Sequence, residues 1–252
     1  MISITDAILL VVAGALAGFV GTAGGITSLV SYPALLLVGV PAFAANVANI
    51  VALLACWPGS ALTSQRELRG RGWWVARWSL VAAAGGMGGA VLLLSTPSGL
   101  FVRVVPFLVA GASVTLLAQP RLAKRRQWSQ TPGRRTELAA GLVAVSVYNG
   151  YFGAGSGVMV LALMLLAVDG HWARANALKN MLVGAATLVS AASFIAFGNV
   201  DWRAVAPLAV GLFLGSILGP PFARRLPADV LRWAVALIGF GFAIELFVHH
   251  GG

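Results

Sequence analysis

Two apolar stretches of the sequence are too long to be single membrane-spanning helices, and each contains a cluster of glycines. They cover about residues 5–38 and 137–168. A straight helix of more than about 30 residues would reach roughly 50 Å, whereas the hydrocarbon core of a bilayer is about 30 Å thick. Because glycine lets the backbone leave helical geometry, we predict that the first stretch breaks at 21–25 and the second at 150–157. Each stretch would then form a helical hairpin.

Six further apolar runs are each near 20 residues long, which is the length that crosses a bilayer as one helix. They fall at about 42–64, 73–95, 100–119, 172–197, 202–222 and 228–248. The chain is 59% hydrophobic and only 10% charged, with a mean hydropathy of +0.91. A soluble core of this size could not bury so much apolar surface. These features predict an all-α integral membrane protein.

The net charge of +10 is distributed as membrane topology requires. The basic residues lie in short loops between apolar runs, where they set orientation and meet anionic lipid headgroups. No soluble basic domain is present to bind nucleic acid. Cys56 stands alone in an apolar run, and the three histidines lack metal-ligand spacing. We therefore expect membrane lipids as partners, with no nucleic acid, metal or cofactor.

The chain divides into two similar halves. Landmarks recur at an offset of about 130 residues, namely Gly25 and Gly157, Asn46 and Asn176, Trp74 and Trp202, and Arg103 and Arg232. We predict a first transmembrane repeat at 1–120, a basic cytoplasmic linker at 121–136 and a second transmembrane repeat at 137–252. Each repeat would consist of a glycine-broken helical hairpin followed by three transmembrane helices.

The positions of the charges favour hairpins over single crossings. If both long stretches are hairpins, nearly all basic residues outside the helices share one side, and only Arg103 and Arg203 lie opposite. Single crossings would divide the charges more evenly. The positive-inside rule then predicts cytoplasmic positions for 66–71, 121–135, 170–174 and 223–228, with both termini outside. The halves would be inverted relative to each other, as in many secondary transporters.

The hairpin arms are short, about 16 residues before the first break and about 13 after it. They could cross as thin helices, or re-enter and meet inside the membrane. We favour the second arrangement, because non-helical backbone at that depth must be buried in protein or line a cavity. Elsewhere, small-xxx-small spacings at Gly14 and Gly18, at Gly85 and Gly89, and at Gly211, Gly215 and Gly219 predict close helix contacts.

The glycine-rich breaks are candidate anion sites, because a helix begins after each of them. A helix N-terminus exposes unpaired N–H groups and a partial positive charge, and glycine lets a ligand approach the backbone. Thr27 and Ser28 could add neutral donors. The alternative is that the glycines only permit tight packing. The candidate substrate-binding residues at the breaks are Gly21, Thr22, Gly24, Gly25, Asn149, Gly153, Gly155, Ser156 and Gly157.

Lys179 is the charged residue placed well inside an apolar run. Ionisable groups at membrane depth are costly and usually face a partner, a cavity or a substrate path. Asn176 and Asn180 lie beside it, and Asn46 and Asn49 occupy the corresponding region of the first half. Together these side chains could hold an anion near the breaks. Alternatively, the lysine could extend its ammonium to the headgroups.

Several of these segments resemble the TauE/SafE sulfite exporter family. In the first half they are the glycine-rich break, SYPALLL at 31–37 and GVP at 39–41; in the second they are GAGSG at 153–157 and GNVDWR at 198–203. The resemblance covers nearly the whole chain. It implies movement of sulfur-containing anions, such as sulfite, organosulfonates or thiosulfate, across the bacterial cytoplasmic (inner) membrane.

The expected function is therefore secondary transport of a small anion by alternating access, with the site between the two glycine-rich breaks at the midplane. No nucleotide-binding motif is present, so a proton or sodium gradient, or the gradient of the anion itself, would drive transport. An anion channel is the nearest alternative, since the same breaks could line a pore. A membrane-embedded enzyme is the other, and it predicts two ionisable side chains in hydrogen-bond contact at depth.

Overall fold

The structure is a computed structural model that describes residues 3–124 and 134–223, which form helices joined by short turns, with no strand in either range. The helices of the first half are α1 (Ile4–Gly24), α2 (Thr27–Leu37), α3 (Ala42–Leu53), α4 (Cys56–Thr63), α5 (Gln65–Leu68), α6 (Gly72–Leu94) and α7 (Ser98–Lys124). Those of the second half are α8 (Arg134–Tyr151), α9 (Ser156–Ala167), α10 (Trp172–Phe197) and α11 (Trp202–Ala223). The middle of the predicted linker and the run at 228–248 lie outside the described residues.

Within the described ranges, five segments are long and apolar enough to cross a membrane. They are Ile4–Gly24, Ala42–Thr63, Gly72–Leu94, Trp172–Phe197 and Trp202–Gly219. Large apolar side chains cover their outer faces; Leu80 of α6, for example, is 73% exposed. In water such a surface would aggregate, whereas in lipid it meets its preferred solvent. The all-α, multi-pass membrane fold is thus confirmed.

Both long apolar stretches break where the glycines predicted. The first tip (residues 25–26) separates α1 from α2, and the second tip (residues 152–155) separates α8 from α9. Gly25 has a φ of +86°, a conformation that suits glycine and stops α1. One expectation was wrong: the first arm has 21 residues rather than about 16, because Gly21 and Gly24 remain helical. The second arms, with 11 and 12 residues, extend only about 16–18 Å and return from inside the bundle.

The second apolar run, 42–64, contains a break that its hydrophobicity did not predict. Pro58 has no N–H to donate to the carbonyl of Leu54, and its ring would clash with that carbonyl in a regular helix. At this point the backbone forms a hydrogen bond between residues three apart instead of four, in which the N–H of Trp57 donates to the carbonyl of Leu54 at 3.2 Å. The run therefore divides into α3 and α4, and Trp57 turns toward the centre of the molecule.

The α8–α9 hairpin opens toward one end of the bundle, as the charge pattern predicted. Arg71, which precedes α6, contacts Asp169, which follows α9, at 2.6 Å. Helices α6 and α8 run side by side from this same end, because Gly85 lies against Val143 and Gly89 against Val147. Both ends of the second hairpin therefore lie at what we call the basic end of the bundle.

The α1–α2 hairpin opens toward the opposite end. Helices α1 and α11 run parallel, with Gly14 against Leu208 and Gly215 against Ala15, so α1 begins where α11 begins. A Cβ on Gly14 would stand 2.5 Å from the carbonyl oxygen of Leu208, which shows why this spacing requires glycine. The predicted glycine contacts are thus confirmed.

Each hairpin therefore packs its first arm against a helix of the other half, α1 on α11 and α8 on α6. Opposed hairpins and reciprocal pairs are the packing expected of two inverted halves. That the halves are copies of one inverted repeat stays a prediction from the sequence.

Candidate functional site

The two hairpins meet inside the bundle, where Gly25 of the first tip contacts Gly157 in the first turn of α9, next to the second tip. A Cβ on Gly25 would lie 2.5 Å from the carbonyl carbon of Gly157, and one on Gly157 would lie 2.7 Å from the Cα of Gly25. The two backbones thus touch with no side chain between them. Beside this contact, Tyr32 of α2 and Phe152 of the second tip pack edge to face, with ring centroids 5.3 Å apart. The predicted meeting of the tips is confirmed.

A cavity of about 60 Å³, lined by both apolar and polar groups, lies against this contact. One ordered water needs about 10–15 Å³, so the space can hold a small ion with some water. The cavity brings together residues from both hairpins, α3, α4 and α10. Its lining residues are Gly21, Thr22, Gly25, Thr27, Ser28, Leu53, Cys56, Trp57, Ser60, Asn149, Gly153, Ser156, Gly157, Lys179, Asn180, Val183, Gly184 and Thr187.

Lys179 supplies the positive charge of the cavity, and it is the single charged residue among the described lining residues. Its side chain is only 2% exposed, and Nζ donates to the carbonyl oxygen of Gly21 at 3.2 Å. That carbonyl belongs to the last turn of α1, where the helix dipole favours a cation. The ammonium therefore points to the tips and not to the headgroups, so the snorkelling alternative is wrong for this structure.

The short helices α2 and α9 both begin at the cavity. Thr27 and Ser28 open α2, Ser156 and Gly157 open α9, and all four residues line the space. Neither helix start has a side-chain cap. The N–H groups of Ser156 and Val158 already donate to the carbonyl oxygens of Gly153 and Gly155. The remaining first-turn N–H groups can bind an anion, and the partial positive charge of each helix start reinforces the ammonium.

A hydrogen-bonded group of neutral side chains holds the second tip in place. Ser156 Oγ lies 2.7 Å from both Asn149 Oδ1 and the carbonyl oxygen of Gly153, and Asn149 Nδ2 donates to Thr187 Oγ1 at 3.2 Å. These buried groups satisfy one another, which fixes the loop between α8 and α9. Asn149, Gly153 and Ser156 line the cavity, and Thr187 joins them from α10; that they bind a substrate stays a prediction.

Asn46 and Asn176 have a different place from the one we expected. Asn46 Nδ2 donates to the carbonyl oxygen of Tyr151, and Asn176 Nδ2 donates to that of Thr22, both at 2.9 Å. Each asparagine thus caps the first arm of the opposite hairpin, because the last carbonyls of a helix lack partners within it. Asn180 does both: it donates to Thr22 at 3.2 Å and also lines the cavity.

Three further candidates also lie outside the cavity. Gly24 faces open space. Gly155, with a φ of +75°, provides the turn into α9. Asn49 accepts a hydrogen bond from Ser31 Oγ at 2.6 Å, which joins α3 to α2. These residues shape and support the tips, and the cavity wall is formed by their neighbours.

Sequence reasoning missed the contribution of α4. Trp57 lines the cavity, and its buried indole Nε1 has no hydrogen-bond partner among the described residues. The signal was a tryptophan followed by proline in the middle of an apolar run, where interfacial anchoring does not apply. Cys56 also lines the cavity, and its Sγ lies 3.7 Å from the carbonyl oxygen of Leu212. The hydrogen bonds of Lys179 and Cys56 thus go to backbone carbonyls.

At the basic end, Asp169 joins segments of the two halves. Its side chain is 7% exposed and lies 2.6 Å from Arg71 and 3.7 Å from Arg174. Burial opposes ionisation of this carboxyl. The backbone N–H of His171 and the two guanidinium groups outweigh burial and lower the pKa of Asp169. The aspartate therefore stays ionised and connects the loop before α6 to the turn before α10.

A bundle of lipid-facing helices around a cavity that contains a buried lysine, with two interrupted hairpins meeting at that cavity, defines a multi-pass membrane transporter. The chain matches the model of the sulfite exporter TauE/SafE family over residues 7–246, and it belongs to this family. The resemblance seen in its glycine-rich segments is thereby confirmed.

Two curated relatives are similar over almost their whole length. A probable membrane transporter protein, ORF9, from Sinorhizobium sp is 26% identical, over 94% of this chain and 90% of its own. A probable membrane transporter protein from Haemophilus influenzae (strain ATCC 51907 / DSM 11121 / KW20 / Rd) is 24% identical, over 94% of this chain and 93% of its own. No solved structure matches the chain with comparable significance.

Proposed function

We propose that the chain is a secondary transporter of a small anion in the bacterial inner membrane, and that the anion binds in the cavity between the tips. The observation that carries this proposal is the buried ammonium of Lys179, which lines the cavity together with the starts of α2 and α9. A charge so deep in a membrane protein is costly unless a partner or substrate uses it. Only one of its three N–H groups is needed for Gly21, so the others can bind an anion.

The proposed substrate is a sulfur oxyanion such as sulfite, thiosulfate or an organosulfonate. Its oxygens would accept from the ammonium, the hydroxyl groups of Thr27, Ser28 and Thr187, and the indole N–H of Trp57. The apolar side chains of Leu53 and Val183 complete the wall and could adjoin the organic part of a sulfonate. The family name supports sulfite or a chemical relative as the substrate class.

Alternating access would follow from the opposed hairpins. The cavity lies at the tips of both hairpins. The α8–α9 hairpin opens toward the basic end of the bundle, and the α1–α2 hairpin opens toward the opposite end. Movement of either hairpin would separate Gly25 from Gly157 and expose the cavity to one side at a time. A proton or sodium gradient, or the gradient of the anion itself, would supply the driving force.

A ligand-stabilisation screen tests the binding site directly. The purified protein is melted with sulfite, thiosulfate, organosulfonates, sulfate and small carboxylates. At a hundred times its dissociation constant, a bound anion should stabilise the fold by about 2.7 kcal/mol. Lys179→Gln should weaken binding of that anion about ten- to a hundredfold, since a hydrogen bond to a charged group contributes roughly 1.5–3 kcal/mol. Arg203→Gln, which replaces an exposed arginine outside the cavity, is the matched control.

Two results would overturn the proposal. One is the absence of stabilisation by every anion tested at millimolar concentration. The other is an affinity in Lys179→Gln that equals that of wild type. Proteoliposomes then distinguish a carrier from the channel alternative, because a carrier shows saturable counterflow and a channel passes currents near the diffusive limit.

A further inference from the structure

A second, larger concavity lies at the basic end of the bundle, apart from the cavity between the tips. It has a volume of about 760 Å³ and lies between α6, α8 and the end of α9. Trp73, Trp74 and Trp78 form its α6 wall, and Leu138 and Val168 belong to the wall opposite. Trp73 is 84% exposed, as expected for a side chain at a membrane boundary. We call this feature the lateral groove.

The lateral groove is positively charged. Arg77 and Arg135 both line it, and no acidic side chain is found among its described lining residues. Asp169 follows the groove residue Val168, but its carboxylate is bound to Arg71 and Arg174. Helix α6 also begins here without a side-chain cap, which leaves first-turn N–H groups for an anion. Two guanidinium groups thus line a groove whose other described lining residues are all uncharged.

We propose that the lateral groove binds a phospholipid with an anionic headgroup. Arg77, Arg135 and the hydroxyl of Thr136 contact the phosphate, Trp73 and Trp74 flank the headgroup one turn nearer the basic end, and Val81, Leu138 and Ala139 receive the start of an acyl chain. Basic pockets between transmembrane helices on the cytoplasmic side are suited to such headgroups. This site is independent of the anion cavity and of the function proposed for it.

The composition of the groove favours a lipid over a free phosphate ion. Inorganic phosphate would use the two arginines, but it would leave the wall of Val81, Leu138, Ala139 and Val168 without a partner. A lipid matches both parts in order of depth, because Val81 lies one turn deeper than Arg77 on α6, and Leu138 and Ala139 lie about one turn deeper than Arg135 on α8. The volume of about 760 Å³ also far exceeds the needs of a single small ion.

The experiment compares lipid retention by the full-length protein and two variants. Purified protein is mixed with phosphatidylglycerol, with phosphatidylcholine or with inorganic phosphate, and bound lipid is counted by native mass spectrometry alongside the melting temperature. Each basic residue near an anionic lipid contributes about fivefold in affinity, so Arg77→Gln with Arg135→Gln should weaken phosphatidylglycerol binding about thirtyfold. Arg103→Gln, an exposed arginine at the other end of the bundle, should bind as wild type does.

Selective retention of phosphatidylglycerol that is lost in the double variant supports the site. Equal retention by the double variant, or equal binding of phosphatidylcholine, would overturn it. Competition by inorganic phosphate at the same concentration as the lipid would show that the groove takes a small anion instead. If the wild-type protein retains no lipid and is a dimer, and the double variant is a monomer, then a second copy of the chain covers this face and the proposal is overturned.

Discussion

Trp57 is the side chain that best isolates the role of a neutral donor in the cavity. Its indole N–H is buried without a partner among the described residues, while its ring fills space against Gly184. An unpaired buried donor costs free energy unless a ligand or water accepts from it. We infer that the bound anion is that acceptor.

We therefore predict that Trp57→Phe weakens anion binding about tenfold while preserving the packing of an aromatic ring. A hydrogen bond to a charged group is worth about 1.5 kcal/mol or more, which corresponds to this change. Isothermal titration or the melting shift measures the affinity. Trp73→Phe, outside the cavity, is the control, and an unchanged affinity in Trp57→Phe would show that its N–H meets water instead.

Asp169 gives a prediction about pH. Its folded-state pKa is lowered, so the ion pairs stabilise the protein fully above the ordinary value of 3.8 and lose this effect as pH falls through the lower folded value. Asp169→Asn should lower the free energy of unfolding by about 1–2 kcal/mol at pH 7. This value lies between the contributions of an exposed ion pair and of a hydrogen bond to a charged group. It should also flatten the loss of stability in acid. Melting curves from pH 3 to 7 measure both effects, with Glu137→Gln, an exposed acid, as the control; parallel curves for wild type and Asp169→Asn would contradict the prediction.

Single residues also show where sequence reasoning succeeded at the site and where it ended. Lys179, Asn149 and Ser156 could be found because polar groups in an apolar run require a partner. Asn46 and Asn176 were recognised as equivalent, but their roles depend on carbonyls 105 and 154 residues away. No local pattern encodes contacts at that separation, so the reciprocal caps become visible only in three dimensions.

At the scale of helices, the contact between the tips is the most demanding feature. Gly157 has no room for a side chain, because an added Cβ would meet the backbone of Gly25 at 2.7 Å. Gly24 is next to the same tip but faces open space and has no positive φ. The two glycines therefore form a matched pair for a test.

We predict that Gly157→Ala destabilises the protein by about 1–3 kcal/mol and reduces transport at least tenfold, because overpacking displaces the tips. Gly24→Ala should change stability by no more than about 0.5 kcal/mol, since alanine favours the helix that it would end. Thermal melting and uptake into proteoliposomes measure the two effects. Wild-type transport in Gly157→Ala would mean that the tips need not touch for function.

The helix boundaries were predictable where glycine clusters and the lengths of the apolar runs determined them. The two hairpin breaks follow from glycine clusters in runs that exceed the bilayer. The length of the first arm did not, because α1 packs against α11 as far as Phe19 and Thr22, which lie opposite Gly219, and the helix therefore continues past Gly21 to Gly24. The break between α3 and α4 could have been read from Pro58, whose effect on the preceding turn is local.

At the scale of the whole molecule, the charge pattern and the packing make one prediction about orientation. Arg71 and Asp169 lie at the same end. Ser98, the first residue of α7, and Asn199, in the loop before α11, lie at the other. With Cys56 replaced, Gln65→Cys, Gln130→Cys and Leu226→Cys should react with an impermeant thiol reagent only after the membrane is opened. Ser98→Cys and Asn199→Cys should react in intact cells. Labelling of Gln65→Cys and Gln130→Cys on opposite sides would contradict the hairpin topology.

The exchange of first arms between the halves has a consequence for how the protein is made. When synthesis has reached the end of α7, α8 and α11 have not yet been made. The glycine faces of α6 and α1, which pack against them, therefore have no partner at this stage. The partners of both faces lie in the second half, so an incomplete chain exposes two narrow faces of bare backbone to lipid. Such faces invite association with any other helix rich in small residues. Such association is prevented once the second half is synthesised, because α8 and α11 then cover the glycine faces of α6 and α1.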